Sequence, residues 1–156
     1  MPARPTSISV EQQMQRTIAV ELFNYVWTLL EKQHRTEREN DIMIDAAHAS
    51  RLFWEEIGQP VNHARGEWQI SRVYATVERA EPALHHATRC LEICEQHGIG
   101  DFDLAYAYEA LARAHGLAGD TDLAARYAKD ARGAAERIAE REDRDALLTD
   151  LETLPR

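Results

Sequence analysis

Residues 80–98 read AEPALHHATRCLEICEQHG. Pro82 suits a first helical turn, where its missing N–H costs nothing. Gly98-Ile99-Gly100 ends the helix. The stretch between them predicts a helix over about 81–97, and its small residues return at a fixed distance along the chain. Ala87 stands 41 residues from both Ala46 and Ala128. The same step joins Cys90 to Ala49 and Ala131, Ile70 to Leu29 and Leu111, and Trp68 to Trp27. A helical repeat of this length marks a stacked array of helix hairpins. Such arrays seldom perform covalent chemistry; they present a groove.

The other helices follow from their start and stop signals. Ser9-Val10-Glu11-Gln12 and Thr36-Glu37-Arg38-Glu39 are capping boxes, in which the hydroxyl and the later side chain each satisfy a free backbone N–H. They open helices over about 10–33 and 37–57, the second stopped by Gly58-Gln59-Pro60, where Gly58 is expected to take the left-handed cap and Pro60 cannot extend the helix. A third helix covers about 61–78. Asp101 is expected to cap a fifth over about 102–118, and Gly119-Asp120 separates it from a sixth over about 121–140. A last amphipathic segment, about 143–153, carries Leu147, Leu148, Leu151 and Leu154 on one face. It either stands alone or continues the sixth helix, since no Gly or Pro divides them. No alternating strand pattern occurs. The expected fold is all-α: three antiparallel helix pairs (about 10–58, 60–98 and 101–140) and a capping helix (about 143–154) in one domain, residues 10–156, after a flexible tail over residues 1–9.

The chain of 156 residues is long enough to bury a core without staples. Its net charge of −9 would repel nucleic-acid phosphates and anionic membrane surfaces, so neither partner is expected. No apolar run approaches a membrane span, and the N-terminal residues lack the apolar core of a secretory signal. Cys90 and Cys94, one helical turn apart, make a poor disulfide framework. They suit a reducing compartment, and a cytoplasmic protein is expected. Sixteen Arg against two Lys points to a GC-rich, bacterial genome.

Tyr74, Ala83, Leu84, Ala87 and Leu91 resemble one tetratricopeptide (TPR) repeat in their spacing, and Leu111, Gly119, Ala124, Ala128 and Ala131 resemble a second. The 41-residue step is longer than the usual repeat of about 34 and is similar to longer-helix variants such as those of kinesin light chains. In the first pair Gln33 and Ile42 stand where Tyr74 and Ala83 do. The resemblance covers roughly residues 10–140 and implies that the first helix of each pair lines an inner groove. The carboxylate clamp of some TPR domains is not reproduced: its positions hold Trp68, Arg72, Tyr106 and Ala110.

Carried onto that inner face, the step yields three helical stripes: Glu21, Asn24, Trp27 and Glu31; Asn62, Arg65, Trp68 and Arg72; Asp103, Tyr106, Glu109 and Arg113. They are polar and aromatic where a core stripe would be apolar. Arg forks pair with carboxylate or phosphate, and Trp and Tyr give rigid apolar contact. Trp27, Asn62, Arg65, Trp68, Arg72, Tyr106, Glu109 and Arg113 are therefore the candidate ligand-binding residues. The expected function is a non-catalytic module holding a peptide or protein segment. The alternative is a small-molecule-binding protein or enzyme with a pocket at Arg65, Trp68, Arg72 and Glu109. The competing structural reading is a solvated face of internal ion pairs, with Glu109 neutralising Arg72. A homodimer through the terminal leucine face is a further possibility.

His86, Cys90, Cys94 and His97 are soft-metal ligand types on one side of one helix, but they spread over roughly 16 Å at 1.5 Å per residue. Cys90 also occupies the repeat's small-residue position. Asp45 and His48 are three apart, as in di-iron bundles, yet no second copy exists. No phosphate loop, nucleophile elbow or zinc framework occurs. Metal and cofactor are not expected, and catalysis is the less favoured reading.

Overall fold

The computed structural model describes residues 10–156. The expected tail over residues 1–9 and the Ser9 cap lie outside the described residues. Seven helices follow in order: α1 (Val10–Leu30), α2 (Glu37–Ile57), α3 (Pro60–Thr76), α4 (Ala80–His97), α5 (Asp101–Leu117), α6 (Thr121–Ala135) and α7 (Arg141–Glu152). No strand occurs among the described residues, and the all-α expectation holds.

Most boundaries sit where their signals stand. Thr36 Oγ1 accepts from Glu39 N at 3.1 Å and Glu39 Oε2 accepts from Thr36 N at 2.9 Å, completing the capping box of α2. The left-handed cap expected at Gly58 is absent: Gly58 is extended at φ −80°, leading straight into Pro60, whereas Gly98 closes α4 at φ 62°, a conformation other residues adopt only at a cost. Three boundaries differ from expectation. α1 ends at Leu30 because Arg35 Nη1 donates to the Leu29 and Lys32 carbonyls, at 3.2 and 2.9 Å, satisfying acceptors that further helix would have used. α5 starts at Asp101, not after it, with Gly100 as its N-cap. Asp101 itself is left-handed at φ 52°, and its carboxylate accepts from Phe102 N and reaches Ala139 N. α6 stops at Ala135, where Arg137 N and Ile138 N bond three residues back and tighten the last turn. That turn buries Ile138 beside Leu147, so α7 is a separate helix.

The helices pack as hairpins, α1 on α2, α3 on α4 and α5 on α6, each joined to the next through α2–α3 and α4–α5. The odd-numbered helices also touch in sequence, α1 to α3, α3 to α5 and α5 to α7, whereas the backbones of α2, α4 and α6 stand apart, α2 meeting α4 through the side chains of His48 and His86. α1, α3, α5 and α7 thus form one continuous inner layer. Small residues permit the close packing. Ala83, Ala87, Cys90 and Cys94 are all buried along α4, as are Ala128, Ala131, Ala134 and Ala135 along α6. Two buried serines tie hairpins at close approach: Ser50 Oγ donates to the Ala19 carbonyl and Ser71 Oγ to the Ala83 carbonyl, both at 2.7 Å.

The repeat's apolar positions Leu29, Ile70 and Leu111 lie in the core, and α7 closes it. Leu147 and Leu151 are buried against Ala105, Tyr106 and Ala112 of α5 and Ala131 of α6. Each such side chain contributes about 1.5–3 kcal/mol through burial. Leu148 is exposed, so only part of the leucine face is spent on the cap.

Candidate functional site

The inner layer sets four aromatic rings in a row. Trp27 of α1 lies 5.6 Å from Trp68 of α3, the rings tilted by 31°. Trp68 meets Tyr106 of α5 edge-on at 5.6 Å, and Tyr106 meets Phe102 at 4.6 Å. These offset and edge-to-face contacts are the ones the ring quadrupoles favour. The row forms because Trp27 and Trp68 hold the same place in the repeat, while Tyr106 comes from the neighbouring stripe position one turn earlier on α5. Gln69 Nε2, donating to the Phe23 carbonyl at 3.0 Å, fixes α1 against α3 beside them.

A cavity of about 430 Å³ opens along this row. Its apolar wall includes Phe23, Trp27, Trp68, Phe102 and Tyr106; its charged groups are Arg65, Asp103, Asp143 and Asp150. Arg65 is committed: Nε and Nη2 donate to the two carboxylate oxygens of Asp103 at 2.8 and 3.1 Å, and this fork pushes the guanidinium pKa up. Asp150 Oδ2 accepts from Tyr106 Oη at 2.8 Å and from Arg72 Nη2 at 3.2 Å. Burial, then the bond to Asp150, pushes the Tyr106 phenol well above its usual range, so it stays a donor.

The other half of the stripes is closed. Glu109 is 0 % exposed. Its Oε1 accepts from Arg113 Nε and Nη2 at 2.8 and 2.6 Å, and its Oε2 stands 3.6 Å from Arg72 Nη2. Arg113 continues to α7, donating from Nη2 to the Asp150 carbonyl at 3.0 Å and to Thr153 Oγ1 at 2.8 Å. Arg72 also lies over the Trp68 ring, 5.5 Å from its centroid. These charges are packed and paired, as a buried charge must be.

Of the eight sequence-derived residues, Trp27, Arg65, Trp68 and Tyr106 line the main cavity. Asn62 lies at a smaller depression of about 140 Å³ with Val20, Phe23, Trp54 and Arg65. Its Oδ1 accepts from Gln59 N at the start of α3. Arg72, Glu109 and Arg113 line neither cavity; they form the ion network that fastens α7. The anticipated pairing of Glu109 with Arg72 is present, within this larger network. Asp143 and Asp150 were not among the candidates because α7 lies outside the repeat frame that selected them.

A second polar cluster, also unanticipated, sits between α2, α3 and α4. Glu67 is buried on α3 and accepts from His86 Nδ1 at 2.6 Å, Arg89 Nε at 3.1 Å and Arg51 Nε at 3.2 Å. Burial pushes its carboxyl up, but the bonds and charges of His86 and Arg89 outweigh this and hold it down at about 2. His48 stands edge-on to His86, with Nε2 2.8 Å from the Tyr74 hydroxyl. Burial, then the charge of His86, lowers its pKa. The signal was in the repeat: the 41-residue step aligns Glu67 with buried Val26 and with Tyr108, so an acid stands at a core position.

Among the described residues no group of three His, Cys, Asp or Glu is placed to hold a metal ion. His86 faces Glu67, while Cys90 and Cys94 are free thiols within the core around Ala64 and Ala107. His115 stacks on Tyr127 at 5.5 Å, the packing role its alignment with Tyr74 suggests. No helix is long and apolar enough to cross a membrane. No protein-family model, curated protein or solved structure matches the chain.

Proposed function

We propose that the chain, as one domain over residues 10–156, is a non-catalytic interaction module of TPR-like architecture. It holds a peptide or protein segment along α1, α3, α5 and α7. One observation carries the reading: the 430 Å³ cavity and the 140 Å³ depression adjoin and share Phe23 and Arg65 as walls. Two adjoining pockets of unequal size suit successive side chains of an extended segment, with Trp27 as a rigid anchor at the mouth. The main cavity alone falls within the size range of small-molecule sites. The small-molecule reading, however, called for Arg65, Trp68, Arg72 and Glu109 around one opening, and Arg72 and Glu109 are engaged elsewhere. Free, buried Cys90 and Cys94 support a reducing, cytoplasmic setting.

Selection from a random peptide library displayed on phage tests the proposal. Enriched peptides, made synthetically, should bind the full chain and lose at least tenfold in affinity to Trp27→Ala, read by fluorescence polarisation. Trp27 is 36 % exposed and packs on Trp68, so the circular dichroism melt of Trp27→Ala is recorded beside its binding to check that the variant is folded. The reading fails if no peptide is enriched or if Trp27→Ala binds as well as the wild type.

A further inference from the structure

The charged groups at the main cavity are unequally occupied, and that inequality selects a ligand. The only cation in its wall among the described residues, Arg65, spends both its Nε and Nη2 on Asp103. Arg72 and Arg113, the other stripe arginines, are spent on Glu109, Asp150 and Thr153. Of the two indole donors in the wall, Trp68 Nε1 is fully shielded and cannot reach a bound molecule, and Trp27 Nε1, on a partly exposed ring, is uncharged. An anionic ligand would therefore meet, among the described residues, only a cation that a carboxylate already neutralises.

The acceptors are differently placed. Asp143, in the first turn of α7, lines the cavity and has no hydrogen-bond or ion-pair partner among the described residues. Asp150 lines it too, and both of its side-chain bonds fall on Oδ2, leaving Oδ1 unengaged. Around these carboxylates stand the faces and edges of Trp27, Trp68, Tyr106 and Phe102. Aromatic walls with a carboxylate attract cations that carry an apolar stem, through the ring quadrupole and one charge-assisted bond. The protein already makes such a contact itself, with the Arg72 guanidinium over Trp68. A net charge of −9 adds long-range attraction in the same direction.

We infer that the main cavity takes a cationic side chain of the bound segment, an arginine or a methylated lysine, with Asp143 as its counter-ion and Trp27 as its stacking face. The inference rests on the peptide-binding reading above and adds the chemistry of the anchor.

The test uses capped amino acids as probes: the acetyl, methylamide forms of arginine, trimethyl-lysine, citrulline and glutamate. The full-length chain, ¹⁵N-labelled, is titrated with each while the indole N–H signals of Trp27 and Trp68 are followed. Arginine or trimethyl-lysine should give saturable shifts, at least tenfold tighter than citrulline or glutamate. Asp143→Asn should weaken the cationic probe by about tenfold. Glu142→Gln, which removes the same charge one residue away at an exposed position outside the cavity, should leave it unchanged. Equal binding of citrulline, preference for glutamate, no saturable shift with either cation, or equal effects of the two variants overturns the inference. Phage-selected peptides that depend on Trp27 but carry no basic residue would overturn it while leaving the peptide-binding reading intact. Failure of that reading shows instead as no Trp27-dependent peptide at all.

Discussion

At the carboxyl end of the stack, α7 buries Leu147 and Leu151 and is fastened by polar contacts. Asp150 receives Tyr106 and Arg72, and Arg113 reads the backbone of Asp150 and the hydroxyl of Thr153. At the amino end, α1 leaves Val10 and Met14 75 % and 61 % exposed, one turn apart, with Ile18 and Tyr25 continuing the line. Both ends have helices with apolar stripes, but among the described residues only one stripe is covered. Apolar burial supplies stability without direction. The hydrogen bonds around Asp150 supply the direction, and they decide that α7 ends as a wall of the inner cavity. The closed half of the stripes and the open half thus have one cause, since α7 seals Arg72, Glu109 and Arg113 and leaves Trp27, Trp68 and Tyr106 beside an opening.

The comparison breaks first if α7 is dispensable. Removing residues 141–156 should cost on the order of 5 kcal/mol or more, through exposed core and the loss of partners for Arg113 and Arg72. Insoluble protein or a melting temperature lower by well over 10 °C is expected; an unchanged melting curve would show that the end needs no cap. Leu147→Ala isolates the apolar part. The residue is 0 % exposed, and about 3–4 kcal/mol should be lost in a urea titration through transfer and cavity terms.

Acid probes the amino-terminal half. Glu67 is held at about 2 when folded, below an ordinary carboxyl, so its contribution is complete above about pH 4.5 and is lost as pH falls towards 2. That contribution is at most about 3 kcal/mol, because one pKa unit corresponds to about 1.4 kcal/mol. His48, also lowered, acts in the same sense, beginning near its unfolded value of 6.5. Melting temperature should therefore fall as pH is lowered from 7 to 3, and hydrogen exchange should quicken first in α2 and α4. Protection lost first in α7 would contradict this. Smallest of all, Met14→Ser should change stability by less than about 0.5 kcal/mol, because an exposed side chain makes few contacts to lose. A larger loss in denaturant would reveal that α1 is covered in solution, and a lower mass by light scattering would identify a second copy as the cover.

The helices were legible because their punctuation is local: Thr36 with Glu39, Gly58 before Pro60, and Gly98 act within a few residues of where they stand. The inner aromatic row was legible because the repeat carries Trp27 onto Trp68. The break after Ala135 was not, since it depends on Ile138 finding the core beside Leu147, a tertiary event without a Gly or Pro to mark it. Nor was the burial of Glu109, which the repeat aligns with two tryptophans and which reads as a groove residue until α7 is in place. Asp143 and Asp150 belong to a segment with no counterpart in the repeat, so no periodic argument could bring them to the cavity.

Two indoles held 5.6 Å apart and tilted by 31° are neither parallel nor perpendicular. Their electronic transitions therefore couple with a handedness. Trp27 and Trp68 should produce an exciton couplet in the circular dichroism spectrum, superimposed on the helical bands and absent from a variant lacking either ring. Because Trp27 is the partly exposed member, anything that enters beside it and turns its plane would alter the sign or size of that couplet. The molecule thus carries an optical reporter of its own inner surface, one that needs no label.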